Sequence, residues 1–394
     1  MRRCAILLLA PAVAAATALP ATGAPDPQPS PPTRPAPPAE VAQIPVILLV
    51  DLGSGETLFE RQPDLRFVPA SMTKAMTAYV AFDLMARGTL RPEQSFTMQS
   101  QTWQAWHGRG TSMNLRSGEV VPVDALLHGI TTASANDAAV VLAEGAGGSV
   151  AVWAAMMNAE AARLGMTNSH FATPNGWPDA GATYVSARDL VRLGEAIVTR
   201  HLALYHRYFG QKQFSWNGIT QQNHDPTVGV IPGADGIKTG HTAEAGYNFL
   251  GSAERGGRRL IMVIGGAHSE EERTAASRAL LEWGFTAWQS RQLFAAGARV
   301  GEARVQGGDA RQVDLIAGRP IAAVSAAGST APPHLAIVYR GPLRAPLAKG
   351  ADVARLRITI DGMPPSEVPL LAARAVGTAG PLDRLWNGLM DLFA

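Results

Sequence analysis

Pro69-Ala70-Ser71-Met72-Thr73-Lys74 opens the stretch on which the reading of this chain turns. An apolar run follows, with Met76, Tyr79, Val80, Phe82, Leu84 and Met85, and stops at Gly88. No Pro or Gly interrupts the run, and its apolar residues fall on most sides of a helical wheel, which predicts a buried helix ended by Gly88. Residues three apart share a helix face, so Ser71 and Lys74 stand one turn apart at the helix start. An amine so placed can take the hydroxyl proton and make Ser71 a nucleophile. The same residues also fit a plainer reading, with Ser as a helix N-cap and Lys as a solvated side chain. Four residues do not separate the two readings; the rest of the chain must.

Working outward, 394 residues allow two domains besides ends that do not fold, and 46% hydrophobic content supports ordinary cores. A formal charge of +2, with no Lys/Arg-dense run, argues against a nucleic-acid partner. Arg2 and Arg3 precede an apolar stretch from Ala5 to Ala16 and small residues through Ala24, the layout of a secretory signal peptide over residues 1–24. The only cysteine, Cys4, would leave with it, which excludes disulfides and cysteine catalysis from the mature chain. An exported, cysteine-free protein fits the periplasm or a bacterial cell surface.

Residues 25–43 are dominated by proline and read as a linker without a core. Order is expected from Ile44 to Asp51, a strand turning through Leu52-Gly53-Ser54-Gly55 into Thr57 to Arg61. Gln101 to Gly110 carries Trp103, Trp106, His107 and Arg109 with no clear period. Such a loop could wall a cleft, although tryptophans more often cover a core. Helices are predicted over Val123–Ile130, Asn136–Glu144, Val150–Leu164 and Ala187–Arg200. Strands are predicted over Gln213–Thr220, Gly236–Thr242, Tyr247–Ala253 and Arg259–Ile264, and a helix over Thr274–Trp288. Strands at both ends of a helical middle predict an α/β (α+β) domain, an antiparallel sheet flanked by helices, spanning 44–290. Short β-rich runs between Gly/Pro turns predict a small all-β domain over 291–375. The remainder, 376–394, contains an amphipathic stretch from Pro381 to Phe393 that either anchors on a membrane or docks on the β domain.

Two further motifs lie downstream of Ser71. Ser134-Ala135-Asn136 stands between two predicted helices, and Lys238-Thr239-Gly240 lies on a predicted strand. A strand edge beside a nucleophile can pair with an extended substrate backbone, and Gly240 lets that backbone come close. Ser-x-x-Lys, Ser-x-Asn and Lys-Thr-Gly in this order mark the active site of penicillin-recognising serine enzymes. The chain therefore resembles the D-alanyl-D-alanine carboxypeptidases, the low-molecular-mass penicillin-binding proteins. Besides the three motifs, the resemblance rests on Asp137-Ala138-Ala139, Leu164-Gly165-Met166-Thr167-Asn168, Asn217 to Gln221, Asp235 to Thr242, Gly246-Tyr247-Asn248 and Trp283-Gly284-Phe285. It implies a transpeptidase/β-lactamase-like domain followed by a β-rich domain, often with a terminal membrane anchor.

The resemblance also implies roles. Ser71 attacks the carbonyl of the penultimate D-Ala, Lys74 is the base, and Ser134 relays a proton to the leaving amine. Asn136 meets the substrate amide or orients Lys74, while Lys238 and Thr239 take the terminal carboxylate. Backbone N–H groups of Ser71 and His241 form the oxyanion hole. Arg273 either holds the substrate carboxylate or is a solvated arginine after Glu270-Glu271-Glu272. No metal or cofactor is implied. The expected partners are a peptidoglycan stem peptide, β-lactams as inhibitors and the inner-membrane surface through the C-terminal helix. One departure stands out: the family often has Asn-Arg-Asn where this chain has Asn223-His224-Asp225. His224 either adds pH dependence to substrate contact or is a loop histidine without a role. A β-lactamase uses the same motifs, but the Glu-x-x-Leu-Asn of the class A enzymes is not found between His170 and Asp179. D,D-endopeptidase action and a non-catalytic cell-wall-binding role remain as alternatives.

Overall fold

The computed structural model describes residues 34–380. The signal-peptide reading and the amphipathic stretch from Pro381 onward lie outside the described residues. The first domain is built on a five-stranded antiparallel sheet. Its order is Thr57–Arg61, Val46–Asp51, Arg258–Ala267, Gly246–Arg255 and Ala234–Thr242. Both faces of the sheet are covered, so its inner strands carry continuous apolar runs, Val46–Val50 and Leu260–Ile264, and period 2 sorts their side chains between two cores. Val46, Leu48, Ile261 and Val263 face a helical cluster, whereas Ile47, Leu49, Leu260, Met262 and Ile264 face the helix Glu270–Thr286 through Ala276, Leu280 and Leu281.

The helix Thr73–Ala86 lies in the middle of the helical cluster. Every residue from Thr73 to Phe82 is buried, as the all-round apolar pattern requires. Val123–Thr131, Asn136–Gly147, Val150–Arg163 and Ala187–Arg200 surround it. Among the described residues no single helix is long and apolar enough to cross a membrane. Ala234–Thr242 is the edge strand of the sheet, and at Gly240 it passes closely against the Ser71 turn.

Some elements differ from their sequence reading. Gln101 to Gly110 is not all loop: Ser100–Trp106 is a helix of seven residues, too short to display a period. Gln213–Thr220 is not one strand but part of a hairpin, Gln213–Trp216 with Ile219–Gln222, turned by Asn217-Gly218 with both residues at positive φ. The last helix starts earlier than expected, because Ser269 Oγ accepts from Glu272 N and Glu270, Glu271 and Glu272 form the first turn, where the helix dipole favours acids. It ends at Thr286, and Trp288 begins a strand.

The second domain pairs Trp288–Phe294 with Ile321–Ala326 and adds a six-stranded sheet. Its core includes Val313, Leu315, Leu356, Ile358, Val368 and Leu370. Val376, placed at the start of the terminal segment from sequence, is buried here and bridges Leu347. At the other end Val41, within the proline-rich stretch, is buried against the sheet core. Domain contact runs through the Leu52–Glu56 turn. Ala322 N donates to Gly53 O at 3.0 Å, and Glu56 is buried beside Val324, Ile358 and Met363. Burial outweighs the nearby Arg34 charge and pushes the Glu56 carboxyl up to about 7.

Candidate active site

Ser71 sits in a 3-10 turn, Ala70–Met72, that runs into Thr73–Ala86, which places Lys74 one turn below it. Lys74 Nζ is fully buried, 2.7 Å from Ser71 Oγ, 2.7 Å from Asn136 Oδ1 and 2.9 Å from Asn175 O. These three neighbours can serve either protonation state of the amine. As an ammonium Nζ donates to all three oxygens; as an amine it would keep two N–H bonds to the amide oxygens and turn its lone pair to the Ser71 O–H. Burial, and then the positive charge of Lys238, hold the Lys74 amine well below its ordinary value, with Asp137 opposing. The solvated-lysine reading is excluded by this burial.

Ser134 and Asn136 come from the sharp turn between Val123–Thr131 and Asn136–Gly147, with Ser134 in the left-handed region at φ 60°. The turn is locked by its neighbours. Thr111 Oγ1 donates to Ser134 O at 2.7 Å, and Asn136 N donates to Thr111 O at 2.8 Å. Asp137, buried at the helix start, accepts from Ser112 Oγ, Met113 N and Leu115 N at 2.6–3.1 Å. One carboxylate thus fixes the loop that borders the site.

From the opposite side comes the Lys238 strand. Gly240 is required there: a Cβ at this position would lie 2.3 Å from Pro69 O and 3.2 Å from Ser71 N. Asn248, on the neighbouring strand, holds the approach by donating to Val68 O and accepting from Gly266 N. Lys238 is buried and donates to Thr239 O at 3.1 Å. Burial pushes its amine down to about 7, against the pull of Asp225 and with help from Arg273. His241 is exposed and stacks on Tyr247 at 3.9 Å.

These elements enclose a cleft of about 450 Å³. Ser71, Ser134, Asn136, Thr239, Gly240, His241 and Arg273 all line it, and Lys74 and Lys238 are buried in its walls. Arg273 is not a solvated arginine. It is 3% exposed, donates to Glu270 Oε1 at 2.8 Å and lies over the Tyr247 ring. His224 also lines the cleft. Loss of hydration, followed by the charge of Lys238, holds its imidazole below the ordinary value, Glu270 opposing and Arg273 assisting.

Sequence reasoning missed the turn Asn175-Gly176-Trp177. Asn175 serves Lys74 through a backbone carbonyl, which no side-chain motif can announce. Gly176 has φ 73°, and a Cβ there would lie 1.9 Å from Ala70 O. Asn-Gly was the available turn signal. Trp177 lines the cleft and meets Trp106 edge-on at 5.4 Å.

A family model described as D-alanyl-D-alanine carboxypeptidase matches residues 33–269. The chain belongs to that family. A second family model, for the C-terminal domain of penicillin-binding protein 5, matches residues 288–378. The D-alanyl-D-alanine carboxypeptidase DacA of Escherichia coli K12 is 33% identical over 338 residues, 84% of this chain and 82% of the relative. DacA of Haemophilus influenzae is 33% identical over 351 residues, covering 87% and 88%. Among solved structures, penicillin-binding protein 5 from Haemophilus influenzae aligns with a TM-score of 0.71 at 32% identity, covering 85% of this chain and 97% of that one. Penicillin-binding protein D2 from Listeria monocytogenes, solved in an ampicillin-bound form, aligns at 0.56 with 28% identity, covering 62% and 98%. The expected fold is thereby met: a transpeptidase-like domain with a helix-flanked antiparallel sheet, then an all-β domain. As a member of this family the chain is a serine-type carboxypeptidase.

Proposed function

We propose that this carboxypeptidase removes the terminal D-Ala from peptidoglycan pentapeptides through an ester on Ser71 Oγ. The observation that carries the reading is the buried Lys74 amine, 2.7 Å from Ser71 Oγ with its other contacts on amide oxygens. The Ser71 proton passes to Lys74 Nζ as Oγ attacks the penultimate D-Ala carbonyl. Backbone N–H groups of Ser71 and His241 stabilise the oxyanion, a contribution of about 2.7–4 kcal/mol per donor. The tetrahedral adduct collapses, the C–N bond breaks, and the departing D-Ala nitrogen takes a proton through Ser134. Water then attacks the ester, returns the Ser71 hydroxyl and frees the shortened peptide. Lys238, Thr239 and Arg273 hold the terminal carboxylate, and Asn136 holds the substrate amide. A β-lactam presents the same amide and carboxylate, but its ring-opened ester stays attached and blocks water.

Endopeptidase action on a cross-linked D-Ala–X bond uses the same chemistry, and the cationic Lys238–Arg273 end of the cleft favours a free terminal carboxylate. The signal-like N-terminus and the amphipathic C-terminal stretch go with a place at the outer face of the inner membrane, where the pentapeptide is found. Incubation with a peptidoglycan pentapeptide tests the reading. D-Ala release that is blocked by penicillin and abolished by Ser71→Ala is expected; release that persists in Ser71→Ala would sink it.

A further inference from the structure

Two tryptophans of the helix Ser100–Trp106 part company in the fold. Trp103 packs against the core beneath it and stacks on His107 at 4.5 Å. Trp106 belongs to none of the core clusters and lies half-exposed, with its ring 5.4 Å from that of Trp177 at 88°. Trp177 is itself half-exposed and lines the cleft. Such an edge-to-face pair sets one large apolar ring in a fixed pose at the mouth of a catalytic cleft.

The pose is tied to the chemistry. Trp177 N donates to Asn175 Oδ1 at 3.0 Å, and Asn175 O accepts from Lys74. A Cβ on Gly110 would meet both Asn136 Nδ2, at 2.8 Å, and the Trp177 ring, at 3.0 Å. The ring therefore lies beside the amide of Asn136. The cationic side chains Lys238 and Arg273 come from the strand Ala234–Thr242 and the helix Glu270–Thr286, and with Thr239 they make a carboxylate-binding end of the cleft. A peptide with its carboxylate at that end and its reacting carbonyl at Ser71 extends its acyl side toward Asn136 and Trp177.

We propose that Trp177, backed by Trp106, is a specificity subsite for the side chain of the residue that precedes D-Ala-D-Ala. This rests on the carboxypeptidase reading above and adds the substrate feature that the cleft selects. An aromatic face offers dispersion and area to methylenes while leaving a polar tip in water, so a long aliphatic side chain fits.

Two peptides with one backbone test it, Nα-acetyl-L-Lys-D-Ala-D-Ala and Nα-acetyl-Gly-D-Ala-D-Ala. The wild type is expected to favour the lysine peptide in kcat/KM by about tenfold or more, the usual discrimination of an apolar pocket for several methylenes. Trp177→Ala should collapse that ratio toward one, and Trp177→Phe should restore part of it. Trp106→Ala, which leaves the Asn175 turn untouched, should lower the ratio several-fold by removing the supporting ring. It keeps the test open if Trp177→Ala does not fold. A ratio unchanged in these variants, with both rates falling together, means a merely structural role and overturns the subsite. A wild type without preference overturns it as well. A wild type that hydrolyses neither peptide overturns the carboxypeptidase reading itself, and the subsite with it.

Discussion

Replacing Lys238 by arginine separates the charge of this residue from its titration. The Lys238 amine is 3% exposed and is pushed from 10.5 down to about 7. At about 1.36 kcal/mol per pH unit, that 3.5-unit difference disfavours the charged form by roughly 5 kcal/mol. If the ammonium receives the substrate carboxylate, kcat/KM for a neutral N-acylated D-Ala-D-Ala peptide should fall about tenfold per pH unit above roughly 7. Lys74 must instead be neutral. The nearby acid Asp225 favours a proton on Lys238, whereas burial and then the Lys238 charge disfavour one on Lys74. A guanidinium keeps its charge across this range. Lys238→Arg should therefore be slower at pH 6, because its geometry differs, yet flat from pH 6 to 9. Stability runs the other way. With the folded value below the unfolded one, the charged amine penalises the fold fully below pH 7, and the penalty is relieved between 7 and 10.5. Stopped-flow acylation or D-Ala release across pH 5–9 provides the assay. An alkaline limb near pH 7 that survives in Lys238→Arg, or a wild-type profile flat to pH 9, would refute the assignment.

Gly240→Ala drives a Cβ to 2.3 Å from Pro69 O, which must push the strand away from the Ser71 turn. A displacement approaching 1 Å costs on the order of 100-fold in kcat/KM, measurable with circular dichroism as a check that the fold persists. Asp137→Ala removes the acceptor for Ser112 Oγ, Met113 N and Leu115 N. It should lower unfolding free energy by about 3 kcal/mol in denaturant titration and slow acylation through the loosened cleft loop. Glu56→Gln should stabilise the protein at pH 8. Its raised carboxyl gives full stability below pH 4.5 that is lost as pH rises through about 7, a loss of up to roughly 3 kcal/mol that calorimetry at pH 5 and pH 8 would detect.

What was legible in the sequence was what chemistry restricts to particular side chains. Ser71, Lys74, Ser134, Asn136 and Lys238 could be picked out because they stand in three short motifs in the order the resembling family has them, and the fold brings them to one cleft. Arg273 could not be decided, since Glu270, Glu271 and Glu272 before it mimic a solvated run and only the packing under Tyr247 distinguishes the two cases. Asn175 was invisible because a carbonyl carries no residue signature. Trp106 and Trp103 are three apart on one short helix, and nothing in their spacing says which faces the core. Val41 and Val376 show a further limit: single apolar residues in proline- or glycine-rich surroundings are buried by partners distant in sequence.

In the proposed mechanism Ser71, served by the buried Lys74 amine, is the residue that becomes acylated. Mass-spectrometric mapping of the penicillin adduct after proteolysis measures this directly. A single adduct on Ser71 is expected, absent from Ser71→Ala and formed much more slowly in Lys74→Met. An adduct on any other residue, or undiminished labelling of Ser71→Ala, would contradict it.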